Sequence, residues 1–116
     1  MDEAGGLLDF KRHNEREDIA YRPRCPDFEE IKRLCWEMGY TAALHGSFIR
    51  DFDVVAIAWI KEASSTEALI QHLCKGLNAH VLGDIGKKPH GRISVSIQVR
   101  DQYVKLIDLS IIPPIG

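Results

Sequence analysis

The chain has 116 residues, 45% hydrophobic and 28% charged, with a formal net charge of -2 and a sequence pI near 6.2. These totals fit one globular domain with one core. They exclude a global positive field that would draw the chain onto nucleic acid or anionic lipid. The longest apolar runs, Val54 to Ile60 and Leu106 to Ile112, fall well short of the ~18 to 20 residues that span a bilayer.

The opening "MDEAGGLLDFKR" carries acids where a secretory leader has a basic region, so a cytoplasmic protein is expected. Residues 1 to 20 mix a short apolar patch with the two-signed segment "KRHNERED". They read as a flexible N-terminal arm ahead of a single domain over 21 to 116. Three cysteines, Cys25, Cys35 and Cys74, show no CxxC spacing, against both a disulfide framework and a zinc site. Cys35 and Cys74 fall among apolar helix positions and are expected in the core.

Prolines at 23 and 26 hold "YRPRCP" extended. Asp27 then caps a helix over 27 to 38, with Phe28, Ile31, Leu34, Cys35 and Met38 at helical spacing and Gly39 ending it. Thr41 to His45 reads as a strand, and Val54 to Ile60 as a strand buried on both faces. Ser64 with Glu67 forms a capping box for a second helix from about residue 65 to 77. A short strand near His80 to Leu82 leads into a loop, "GDIGKKPHG".

From Ile93 to Val99 apolar and polar residues alternate, the pattern of a strand with one buried face. Asp101-Gln102 turns the chain into a last strand, Tyr103 to Ile111. The order α-β-β-α-β-β-β predicts an α+β domain with two helices on one face of a mixed or antiparallel sheet.

Chemistry concentrates in "HGSFIRDFDVV" and "KLIDLSII". Asp51 and Asp53 are two apart, so in extended backbone both carboxylates leave one face. Side by side they repel unless a cation neutralises them, and Mg²⁺ is the hard ion such oxygens suit. Asp108 lies between Ile107 and Leu109, and an aspartate in a buried strand calls for a partner or metal. It becomes a third ligand if its strand adjoins that of Asp53.

The chain here resembles the nucleotidyltransferase superfold that includes DNA polymerase beta. The matching residues are Leu44, Gly46-Ser47, Asp51-Phe52-Asp53-Val54 and Ile107-Asp108-Leu109, and the wording is similar to small uncharacterised nucleotidyltransferase-like proteins of phages and prophages. The resemblance implies that Asp51, Asp53 and Asp108 are catalytic metal ligands and that Gly46 and Ser47 contact the phosphates of a nucleoside triphosphate. It implies attack of a hydroxyl acceptor on an α-phosphate, aided by Mg²⁺. The chain departs from the family in placing only "FIR" between Gly-Ser and Asp-x-Asp, where the family usually has a short helix.

Lys88, His90 and Arg92, with Lys87, form a local basic cluster suited to phosphate, and Arg50 either touches substrate or pairs with Asp51. The alternative is a plainer arrangement, with Arg50-Asp51 and Asp101-Gln102 as turns, Asp53 capping a strand and Asp108 paired to Arg92 or Arg100; the order Gly-Ser, Asp-x-Asp and a third strand Asp favours the nucleotidyltransferase-like reading. Trp36 and Trp59 suit a core or a homodimer interface. The alternative function is a non-catalytic phage accessory protein that keeps the fold as a binding module. Nucleic acid is a disfavoured partner, because the net charge is negative.

Overall fold

A computed structural model describes residues 24–46, 52–101 and 103–115. The expected N-terminal arm, together with Ser47, Arg50 and Asp51, lies outside the described residues. The elements are α1 (Phe28–Glu37), β1 (Tyr40–His45), β2 (Phe52–Ala58), α2 (Thr66–Leu77), β3 (Ala79–Lys87), a short 3₁₀ turn (Pro89–Gly91), β4 (Ile93–Val99) and β5 (Ile107–Ile112). This is the expected α+β order. The five strands form one sheet in the order β1-β2-β5-β4-β3, in which β2 and β5 run parallel and every other pair is antiparallel.

Both helices begin where a side-chain oxygen satisfies an otherwise orphaned backbone N–H. Asp27 accepts from the Glu30 amide, and Ser65 accepts from the Ala68 amide. The second cap is therefore Ser65 rather than Ser64. In the run Ser64-Ser65-Thr66 any of three hydroxyls has the right chemistry, and the approach of the loop decides among them: the Ser64 amide and carbonyl are taken by Met38 and by the Tyr40 hydroxyl.

The two helices cover one sheet face. Ile31, Leu34 and Cys35 of α1 and Leu69, Ile70 and Leu73 of α2 meet the inward residues Tyr40, Val54, Ala56, Val95, Ile97, Ile107, Leu109 and Ile111. Burial of that apolar surface is the main favourable term in the fold. Cys35 is fully enclosed, and its burial pushes the thiol pKa up to about 12. Cys74 is half-buried and its thiol is raised for the same reason. Glu37 of α1 accepts from His72 of α2 at 2.8 Å, and this contact, with help from Arg33, holds the Glu37 carboxyl below its ordinary range.

Three expectations are corrected. The strand at His80 runs on to Lys87, because an irregularity between Leu82 and Gly86 lets the glycine-rich segment rejoin the β4 ladder. The last strand starts at Ile107, not Tyr103, because residues 103 to 105 pair instead with Arg24. Finally, β2 is buried on one face only: Phe52, Val54 and Ala56 point inward, while Val55 is half-buried and Ile57 exposed. No helix crosses over the second face among the described residues, so it carries the alternating residues of each strand.

Gly39 ends α1 with φ of +90°, and a Cβ there would meet the Ala63 Cα at 2.7 Å. Backbone cannot swing aside as a side-chain tip can. Gly39→Ala is therefore expected to lower stability by ~1 to 3 kcal/mol in denaturant titration, and an unchanged midpoint would contradict this account of the α1–β1 turn.

Candidate functional site

The open face of the sheet holds the candidate site, and strand register builds it. In the β2–β5 pair Asp53 stands directly opposite Asp108. In the β1–β2 pair His45 stands opposite Asp53. In the β4–β5 pair Ser96 stands opposite Asp108. Side chains of directly opposed residues leave the same face, so His45, Asp53, Asp108 and Ser96 form one polar row across four strands. Their neighbours Phe52, Val54, Ile107 and Leu109 are buried on the other face, which fixes the direction in which the row points.

Asp53 is half-buried and Asp108 exposed. Adjacent strands lie ~4.8 Å apart, and two carboxylates at that spacing repel by on the order of 1 kcal/mol in water-like surroundings, more where water is reduced. A divalent cation would reverse the sign of that interaction. Two hard oxygen donors on rigid strands are the donor set that Mg²⁺ takes, with its remaining positions filled by water or phosphate oxygen. The described residues contain no group of three or more His, Cys, Asp or Glu placed to hold a metal; Asp51, the expected third acid, is outside them. Asp108 already has an interaction partner, which a bound cation would share or displace.

Gly46 defines the rim. Its φ is +90°, and a Cβ added to it would run into the Asp53 carboxylate, Oδ2 being the nearest atom. The left-handed φ at the turn out of β1 is what calls for glycine there, and a Cβ would in addition push the tip of the Asp53 side chain aside. This is a structural reason for the glycine of the Gly-Ser pair that does not involve a ligand.

The basic cluster is not brought beside the acids. Ile93 pairs with Ile111, so Arg92 falls level with Ile112, four residues along β5 from Asp108. At ~3.3 Å per residue the separation along the strand is ~13 Å. Pro89, His90, Arg92 and Ile112 line a shallow hollow at that far end, and the Lys88 amide donates to the Arg92 carbonyl at 2.7 Å across the tight turn. In the plainer arrangement Asp108 would pair with Arg92 or Arg100. Arg92 is at the other end of the strand, and Arg100 donates to the Asn78 side chain at 3.0 Å.

Ser96 is the member of the row that sequence reasoning missed. Alternation places it on the polar face of β4, but only the pairing of β4 with β5 brings it level with Asp108. His45 carried a weak signal, as a histidine beside the Gly-Ser turn, and the β1–β2 register makes it the neighbour of Asp53. No family model matches the chain, and no curated protein matches it significantly.

The rim geometry yields a test independent of any ligand. Gly46→Ala is expected to cost ~1 to 3 kcal/mol, and the same change made in an Asp53→Ala background should cost less, because the clash with the carboxylate is gone and only the backbone strain remains. A double-mutant cycle by denaturant unfolding reads the difference. Simple additivity would mean that Gly46 and Asp53 do not constrain one another.

Proposed function

We propose that the chain is a minimal nucleotidyltransferase-like protein that binds a divalent cation and a nucleoside triphosphate on the open face of its sheet. The observation supporting this reading is the parallel register that sets Asp53 opposite Asp108. Both acids stand near the amino-terminal ends of their strands, and the β1–β2 turn carrying Gly46 is beside Asp53. The order Gly-Ser, Asp-x-Asp, then a distant strand aspartate is what the nucleotidyltransferase superfold uses.

In this proposal Asp53 and Asp108 hold Mg²⁺, with Asp51 as the third ligand. The cation would offset charge that develops on the phosphoryl oxygens when a hydroxyl attacks. The chain's own part is to fix two carboxylates on neighbouring strands and to present Gly46, which Ser47 follows in sequence, to the phosphates. His45 flanks the acids and can donate a hydrogen bond to a phosphate oxygen or exchange a proton with the acceptor.

A second reading, a binding module that keeps the fold without catalysis, is favoured by one specific fact. Lys88, His90 and Arg92 sit at the opposite end of β5 from Asp108, so the chain presents its basic cluster and its acid pair as two separate surface features.

Titration calorimetry with Mg²⁺ and ATP separates the two. The nucleotidyltransferase-like reading predicts binding to the wild-type chain that weakens at least about tenfold in Asp53→Asn and in Asp108→Asn, the scale of losing one charged ligand. No heat from the wild type, or the same affinity in both variants, would leave the binding-module reading in its place.

A further inference from the structure

We infer that the chain self-associates through the free edge of β1, forming a two-fold dimer whose sheets join into one. The inference does not depend on the cation site. Among the described residues β1 pairs only with β2. The Trp59 amide donates to the Gly39 carbonyl at 3.0 Å, and this sets the parity of the ladder. Residues 39, 41, 43 and 45 bond towards β2, so the N–H and C=O groups of Tyr40, Ala42 and Leu44 point outward.

An edge with three outward donors and three outward acceptors is a template for another strand unless the chain protects it. The other edge is protected: β3 breaks its register between Leu82 and Gly86, turns through Gly83 at φ +78° and carries His80, Asp84 and Lys87. By contrast β1, "YTAALH", has no proline, glycine, bulge, lysine or acid.

A second copy of the chain fits this edge better than an unrelated peptide, because β1 is complementary to itself. A two-fold axis at Ala42 sets Ala42 opposite Ala42 and Tyr40 opposite Leu44, so every outward N–H faces an outward C=O of the other copy. Small residues, Ala42 on one face and Thr41 beside Ala43 on the other, leave the backbones free to approach. Along this edge α1 presents Glu29 and Glu37 with Lys32 and Arg33, lining a groove with Trp36. Two acids and two bases give the groove no net charge, so a second copy meets no net repulsion. Beside it Trp36 stacks on Trp59 with ring centroids 4.4 Å apart, and the two remain 56% and 47% exposed. Large aromatic residues of this kind commonly anchor interfaces.

Sedimentation of the full chain over a wide concentration range tests the dimer, together with amide hydrogen exchange. The mass should rise from 13.1 kDa towards twice that value, and the amides of Tyr40, Ala42 and Leu44 should gain protection as concentration increases. Ala42→Pro removes one outward donor without touching the β1–β2 ladder, a change edge strands tolerate. Thr41→Lys places a charge beside the axis. Each should weaken association by at least about tenfold, and the lysine variant decides the matter if the proline variant does not fold. A monomer at every concentration, equal association of wild type and variants, or protection that ignores concentration would overturn the inference.

Discussion

The parallel pairing of β2 with β5 is the constraint on which the architecture turns. It inserts the last strand between β2 and β4, giving the order β1-β2-β5-β4-β3. A parallel neighbour cannot be reached by a tight hairpin. The chain therefore leaves β2, crosses the sheet as α2, and returns through the antiparallel run β3, β4, β5. The same step buries Val54, Leu109, Ile111 and Ile97 together under the helices and sets Asp53 level with Asp108 on the opposite face. A shift of one residue in the register would turn Leu109 outward and Asp108 into the core, at the cost of both apolar burial and an ion's hydration. Core packing thus holds the acid pair in position.

Much of the fold was legible because each element carries a local signal with a physical cause. Asp27 and Gly39 bracket α1, and the alternation of Ile93, Val95, Ile97 and Val99 announces β4. The errors arise where tertiary pairing overrides those signals. Gly83 and Gly86 look like loop residues, yet β4 supplies enough ladder partners to carry β3 through an irregularity. Tyr103 to Lys105 look like a strand and spend their hydrogen bonds on Arg24 instead. The both-faces burial expected of β2 fails because an apolar run says nothing of how many layers the domain has.

The candidate site divides in the same way. That Asp53 and Asp108 are distinctive could be read from their apolar surroundings, and their adjacency could not, since it depends on strand order. The basic cluster shows the converse. Lys88, His90 and Arg92 are close in sequence to one another and suit a phosphate, but the β4–β5 register places Arg92 ~13 Å along the strand from Asp108. Gly46 has gained a role that its motif did not suggest, as the residue whose missing side chain makes room for the Asp53 carboxylate.

The central proposal is that a divalent cation binds at the row of Asp53 and Asp108. Titration of a ¹⁵N-labelled sample with trace Mn²⁺ measures this directly, because the ion broadens nearby amide signals. The account predicts that His45, Asp53, Ser96 and Asp108 broaden first, and that excess Mg²⁺ restores them. Broadening centred on the acids of α1, or none beyond the scatter of weak surface binding, would contradict it.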